Sequence, residues 1–213
     1  MYRDAVATGE VRSMVRSRRQ EKKAIDPHFL LVAYRNGYFP MADSKEGEIA
    51  WYSPERRGII DLESFSVPRS LRRVLRQESF QVRINAAFEQ TIRACADREE
   101  TWISEEIVEC YLELHRQGYA HSVEAWKDGL LAGGLYGVAL GGAFFGESMF
   151  SKEPDASKVA LAVLVGRLRE RGFVLLDTQF VTEHLSRYGA IEISRMDYLL
   201  QLQKALVLDV LFV

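Results

Sequence analysis

Three neighbouring stretches with strand character, joined by two tight-turn signals, constrain this chain more than any other feature. His121 to Trp126, Leu130 to Val138 and Ala143 to Ser151 read as consecutive strands. Asp128-Gly129 suits the left-handed dihedrals of a two-residue hairpin, and Gly141-Gly142 permits a second turn. A meander with so many apolar residues must be covered on at least one face. The next segment supplies the cover. After the polar loop Lys152 to Pro154, Asp155 is placed to cap a long helix lined by Val159, Leu161, Val163, Leu164 and Leu168. Gly172 ends that helix, and Phe173 to Leu176 then reads as a buried strand.

The N-terminal half is less regular. Residues 1–25 are polar and basic, with weak periodicity, and read as an arm. Asp26 can cap a helix that starts at Pro27, shows Phe29, Leu30, Val32 and Ala33 on one face, and exits at Gly37. Trp51 to Pro54 and Gly58 to Leu62 read as an extended segment leading into a short strand. Pro68 to Arg76 reads as a basic helix and Asn85 to Asp97 as a second, capped by Asn85. Ser104 caps a third, ending at Gly118. Further short helices are expected over roughly 182–187 and 196–206. The apolar tail Leu206 to Val213 reads as packed chain or a final strand. The expected fold is α/β (α+β): an acetyltransferase-like mixed sheet flanked by helices, with residues 26–66 as a small N-terminal domain and 67–213 as the acetyltransferase-like domain.

With 213 residues, 47% of them apolar, the chain can bury one substantial core. A formal net charge of -2 excludes a uniformly basic nucleic-acid coat. Charge is nonetheless patchy. Arg12, Arg16, Arg18, Arg19, Lys22 and Lys23 form one basic run, and Arg69, Arg72, Arg73, Arg76 and Arg83 a second, able to contact phosphates or simply to be solvated. Cys95 and Cys110 form no C-x-x-C, so a disulfide framework and a thiolate zinc site are not expected, and a reducing, cytoplasmic setting is. The scattered histidines His28, His115, His121 and His184 suggest no metal site. No apolar run is long enough to span a bilayer, and no secretory h-region opens the chain.

Two polar intrusions into apolar strands stand out. Glu147 lies in Phe144-Phe145-Gly146-Glu147-Ser148-Met149-Phe150, where burying a carboxylate is unfavourable unless it is paired. It reads as a cleft carboxylate or as a strand residue turned to solvent. Asp177-Thr178-Gln179 follows the buried strand directly, a frequent position for site residues at the carboxyl end of an α/β strand. If the extended geometry continues, Asp177 and Gln179 fall on one side. Trp51, Tyr52, Trp102 and Tyr111 could stack on a base or could be ordinary core residues.

Two rival chemistries can be weighed on these residues. Ser148, His184 and Asp177 supply the types of a hydrolytic triad, but Gly146-Glu147-Ser148-Met149-Phe150 lacks the second glycine of a nucleophile elbow. A coenzyme A acyltransferase needs free backbone amides where the central strand meets the next helix. Here that junction, Ser151 to Lys158, has no glycine, carries Pro154, and places Glu153 and Asp155 where phosphate would be repelled.

Taken in order, a set of blocks resembles the bacterial leucyl/phenylalanyl-tRNA–protein transferases. They are Ala33-Tyr34-Arg35-Asn36-Gly37-Tyr38-Phe39-Pro40, Trp51-Tyr52-Ser53-Pro54 with Arg57, Thr101-Trp102-Ile103, His121 to Trp126 and Gly133 to Val138. They continue through Gly146 to Ser151, Ala156-Ser157-Lys158, Asp177-Thr178-Gln179, His184-Leu185, Gly189-Ala190 and Arg195-Met196-Asp197-Tyr198. The resemblance covers about residues 26–204. It implies transfer of leucine or phenylalanine, with methionine as a further donor, from aminoacyl-tRNA to the α-amine of proteins beginning with Arg or Lys. The product is marked for degradation. It implies Asp177 and Gln179 at the reacting amine and Glu147 as a positioning carboxylate. It further implies an amino-acid pocket at Leu135, Phe144 and Leu164 with Ser148 and Met149 beside it. The terminal adenosine falls near Trp102, Tyr111 and Met41, and tRNA contacts near Arg69, Arg72, Arg73 and Arg76. Met41 stands where the best-known members have tryptophan, and Leu135 and Leu164 where some have Met and Phe. No metal or cofactor and a monomeric chain are implied.

Overall fold

The computed structural model describes residues 25–45, 47–99 and 101–213, so the basic run Arg12 to Lys23 lies outside the described residues. In chain order the elements are α1 (Pro27–Arg35), β1 (Phe39–Met41), β2 (Ala50–Tyr52), β3 (Arg56–Ile60), α2 (Arg69–Arg76), β4 (Gln81–Ile84), α3 (Phe88–Ala96) and α4 (Glu105–Arg116). Then follow β5 (Ala120–Lys127), β6 (Leu130–Leu140), β7 (Ala143–Ser151), α5 (Ala156–Glu170), β8 (Leu175–Gln179), α6 (Glu183–Ser186), β9 (Ala190–Ser194) and α7 (Arg195–Leu206). The meander, the long helix and the buried strand stand where the sequence puts them.

A seven-stranded sheet runs in the order β4-β5-β6-β7-β8-β3-β9, and β1 pairs with β2 in a separate two-stranded sheet. Only β7 and β8 are parallel, as the α5 crossover between them requires; the other pairings are antiparallel. The β7–β8 pairing is short, spanning Ala143 to Phe145 against Leu175 to Asp177. Beyond it β7 continues to Ser151 with β8 no longer beside it. β3 falls inside the segment 26–66 and is hydrogen-bonded between β8 and β9 of the large sheet.

The sheet has an apolar cluster on each face. Because side chains alternate along a strand, Phe144 and Phe145 point to opposite sides. Phe145 joins Tyr34, Tyr111, Tyr136 and Tyr198 under α1, α3, α4 and α7. Phe144 joins Leu135, Leu161, Leu164, Leu176 and Phe212 under α5. The α5 helix buries Val159, Ala160, Leu161, Leu164, Val165 and Leu168, a stripe wide enough to cover the meander. The α2 helix rests on it through Leu71 and leaves Arg69, Arg72, Arg73 and Arg76 exposed.

Local signals at helix ends hold in most places. Asp26 accepts from His28 N at 2.9 Å, with Pro27 in the first turn, and Ser104 accepts from Ile107 N. Two expectations need correction. Asn85 does not cap a helix: β4 occupies Gln81–Ile84, Asn85 has φ 57°, and its side chain bonds Ser122 N and the His121 ring. Glu124, fully buried, accepts from Ala86 N and Ala87 N instead, at the positive end of α3. Asp155 sits at the N-cap position with φ 68° but pairs its carboxylate with Lys158 at 2.6 Å and makes no capping bond. The tail after α7 is packed chain, not a strand: Phe212 is 2% exposed.

Two register shifts matter most. Tyr136 pairs with Ser148 and Gly137 with Gly146, so Glu147 is an extra, bulged residue in β7. Gly58 pairs with Gln179 and Ile59 with Asp177, so Thr178 is extra in β8. The chain at Phe180 then folds over Gly58, whose missing Cβ would lie 2.5 Å from the Phe180 carbonyl carbon. Gly58→Ala is therefore expected to destabilise the protein by about 1–3 kcal/mol, since backbone must move. Urea unfolding checks this, and a stability equal to wild type would show that the turn at Phe180 yields freely.

Candidate active site

The two bulges place the candidate site residues. Without them, Asp177 and Gln179 would point the same way. Instead the bulge at Thr178 and the left-handed Gln179 (φ 59°) split them. Asp177 points into the core, 0% exposed, and Gln179 lines the cleft. This corrects the expectation that both share one side.

Asp177 forms a bidentate pair with Arg57, itself 1% exposed: Nε to Oδ1 at 2.9 Å and Nη2 to Oδ2 at 2.6 Å. Tyr198 donates its hydroxyl to Oδ2 at 2.8 Å, and the Gln179 backbone N–H donates to Oδ1 at 2.8 Å. The Arg57 guanidinium lies between the rings of Phe39 and Tyr198, at 4.4 and 4.6 Å, and donates to Gly37 O. Burial alone would lower the Arg57 pKa; the charge and hydrogen bonds of Asp177, with Tyr198 and Glu147, together more than offset it, and the net direction is up. Asp177 thus fixes the Gln179 backbone and does not reach the cleft.

Glu147 lines the cleft on the opposite wall. Tyr34 donates to its Oε1 at 2.7 Å, Tyr111 to its Oε2 at 2.9 Å, and Gln179 Nε2 to Oε1 at 3.3 Å. The two phenol oxygens are themselves 2.5 Å apart. Burial and the neighbouring Glu147 charge raise both tyrosine pKa values well above the ordinary range, so these hydroxyls stay protonated. Burial pushes the Glu147 carboxyl up to about 7, against the opposing effect of the tyrosine hydrogen bonds. Three close oxygen–oxygen contacts share only the two phenolic protons when Glu147 is ionised. A third proton is readily taken up there.

Below this pair lies an apolar floor of Leu135, Leu161, Leu164 and Leu176, each 1–3% exposed. Met149 faces Leu135 across β6 and β7, and Phe144 sits fully buried behind them. Met41 and Trp102 line the cleft and are partly buried. Ser148 lines it too, accepting from Arg98 Nη2 at 2.8 Å; the same nitrogen donates to Met149 O. Tyr111 is a correction: it is 0% exposed and its hydroxyl is engaged by Glu147, so its ring offers no face for stacking. The four arginines of α2 do not line the cleft. The cleft encloses about 2470 Å³, well above the ~300–1,000 Å³ of a single small-ligand site.

Neither rival arrangement is assembled. Ser148 bonds Arg98 and Asp177 bonds Arg57 and Tyr198, so no Ser–His–Asp relay exists. At the start of α5 the Ser157 N–H donates to Ser151 Oγ, and Ala156 N–H to Glu153 O, so these amides are satisfied internally. Among the described residues no group of three or more His, Cys, Asp or Glu is placed to hold a metal ion. Likewise no helix is long and apolar enough to cross a membrane.

Sequence reasoning left Tyr34, Arg57 and Tyr198 without roles. Tyr34 lies on the buried face of α1, and Arg57 stands directly before the apolar Gly58-Ile59-Ile60, signals that could have found these two; Tyr198, after Arg195-Met196-Asp197, has no such mark. The buried pair makes a direct prediction. Asp177→Ala leaves Arg57 buried without a counter-charge and is expected to lower stability by about 3–5 kcal/mol. Pairing it with Arg57→Met should recover at least half of that loss in urea titrations. A single variant as stable as wild type would contradict the role given to the pair.

Comparison with known proteins gives the family. Residues 59–203 match the family model described as leucyl/phenylalanyl-tRNA protein transferase, and residues 23–55 match the model of that family's N-terminal domain. The leucyl/phenylalanyl-tRNA–protein transferase of Chlorobaculum parvum is 55% identical over 188 residues, covering 86% of this chain and 97% of that protein. The protein of the same name from Paramagnetospirillum magneticum is 60% identical over 182 residues, covering 83% and 87%. The chain belongs to the leucyl/phenylalanyl-tRNA–protein transferase family and is an aminoacyl-tRNA-dependent transferase.

Proposed function

We propose that this enzyme moves leucine, phenylalanine or methionine from the 3′ end of tRNA to the α-amine of proteins that begin with Arg or Lys, acting as a monomer in the cytoplasm. The observation that carries this reading is the facing pair Glu147 and Gln179 above a dry leucine floor. The floor suits an apolar donor side chain, aliphatic or aromatic. Exposed acidic residues at the mouth, Asp97 and Glu99, complement a basic first residue on the acceptor. Trp102 and Met41 are placed to flank the terminal adenosine. The α2 arginines stand outside the cleft, where only the tRNA backbone, not its acylated end, would meet them.

The reaction is aminolysis of an ester. The neutral amine attacks the ester carbonyl, the C–N bond forms, and the ribosyl oxygen leaves with a proton. In this reading Gln179 orients the amine, and Glu147 accepts the proton that the nitrogen loses and returns it to the ribosyl oxygen as the ester C–O bond breaks. Asp177 acts as a positioning residue through the Gln179 backbone. Glu147 is the cleft group whose ionisation falls near neutral pH. Its carboxylate form, the acceptor, grows as pH rises through about 7.

Two experiments test the proposal. tRNA carrying labelled leucine is offered to peptides beginning with Arg, Lys or Ala. Transfer to the first two and not to Ala is expected; equal transfer to all three would remove the acceptor specificity. Separately, single-turnover rates are followed against pH. Wild type should show a limb near 7 from Glu147 and one near ~8 from the acceptor amine. Glu147→Gln should slow transfer about 100-fold or more and keep only the amine limb. A Glu147→Gln enzyme of wild-type rate at pH 7 would sink the proton-acceptor role.

A further inference from the structure

We infer that Phe212, in the tail after α7, sets the depth of the donor side-chain pocket; this rests on the reading of the leucine floor as that pocket. The floor is a single layer. Leu135, Leu161, Leu164 and Leu176 meet the cleft, and Phe144 lies directly behind them in the same cluster without lining the cleft. The next ring outward is Phe212, whose centroid is 5.1 Å from that of Phe144. Phe212 thus comes from outside the sheet and α5 to back Phe144 directly.

Phe212 is held there by an unusual number of restraints for a residue in irregular chain. Its carbonyl accepts from Arg167 Nε at 2.6 Å, and the same guanidinium lies 5.2 Å from its ring. His121 packs against it at 4.6 Å, tilted by 33°, and Phe173 meets it edge-on at 6.2 Å. His121 is itself fixed by Asn85 Nδ2 at 2.9 Å, and burial keeps its ring neutral by lowering the pKa to about 4. The ring therefore does not slide away when Phe144 is pressed from the cleft side. Close-packed interiors transmit such a displacement, and a void behind Phe144 lets it retreat. With Phe212 in place the floor stops at one layer. With it removed, Leu135 and Leu164 gain room to admit a longer donor. Phe212 touches neither donor nor acceptor, so it is a positioning residue for specificity.

The test measures kcat/KM for Leu-tRNA and Phe-tRNA on the same enzyme preparation, with one Arg-starting peptide, so that any unfolded fraction cancels from the ratio. Phe212→Ala should shift the ratio toward the bulkier donor by about fivefold or more, the scale of one methylene in an apolar pocket. Phe212→Leu, which keeps most of the packing and is used if the alanine variant does not fold, should shift it less in the same direction. Arg167→Met, which frees the tail without touching the pocket, should shift it likewise. Leu164→Ala, in the floor itself, is the reference. If Leu164→Ala moves the ratio and the Phe212 and Arg167 variants do not, the tail has no part in selectivity. If Leu164→Ala also leaves it unmoved, the floor is not the donor pocket and both readings fall.

Discussion

The buried Arg57–Asp177 pair is the constraint on which the rest of the site depends. It joins five pieces of chain: Gly37 after α1, Phe39 in β1, Arg57 in β3, Asp177 in β8 and Tyr198 in α7. A lone charge at 0–1% exposure would be strongly unfavourable, so the residues around each partner are compelled to stay where the pair can form. Each Asp177 oxygen accepts two hydrogen bonds, Oδ1 from Arg57 and the Gln179 amide, Oδ2 from Arg57 and Tyr198. The backbone amide is the important one. It holds a residue with positive φ in a conformation that a glutamine adopts reluctantly. The pair thus converts folding free energy into the placement of one side chain in the cleft.

Glu147 is placed by a different route to the same end. Its bulge interrupts the β6–β7 ladder opposite Gly137, where an added Cβ would lie 2.2 Å from Phe145 O. The parallel neighbour β8 stops pairing at the same point, so the bulged residue faces the opened wedge between β7 and β8. Tyr34 from α1 and Tyr111 from α4 reach Glu147 from the helical layer. A carboxylate with two phenol donors would ordinarily be favoured as the anion, yet burial prevails and the proton is held to about pH 7.

These devices explain what could be read from the sequence and what could not. The meander, α5 and the strand after it follow from local pattern: period-two stretches, glycine turns, an apolar stripe at helical spacing. So does the polarity of Glu147 and of Asp177-Thr178-Gln179 against their neighbours. Register shifts have no such signature. A bulge adds one residue without changing composition, so strict alternation put Asp177 and Gln179 on the same side when they part. The strands β4 and β9 were missed because each is only four or five residues long and mostly half-exposed or exposed, so two alternating apolar residues apiece are too short a pattern to mark a strand. The placement of β3 between β8 and β9 is a long-range pairing that no local pattern encodes. Tyr111 was read as a stacking ring because its type suits that use; the fold spends its hydroxyl on Glu147 instead.

The same comparison shows why the two faces of the sheet divide the work. The face under α1, α4 and α7 is rich in tyrosine, and the hydroxyls of Tyr34, Tyr111 and Tyr198 converge on the carboxylates of Glu147 and Asp177. The cluster under α5 is aliphatic and phenylalanine apart from Tyr188. On the proposed reading, a polar group on that second face would be desolvated by an apolar donor side chain that offers it no hydrogen bond. The consecutive phenylalanines Phe144 and Phe145 serve opposite layers, so an apolar floor and a titrating carboxylate stand within three residues of each other. Phe145 packs against Tyr34 at 4.7 Å, on the proton-handling side, while Phe144 backs the floor. Replacing either ring would therefore disturb a different face of the site, although the two are adjacent in the chain.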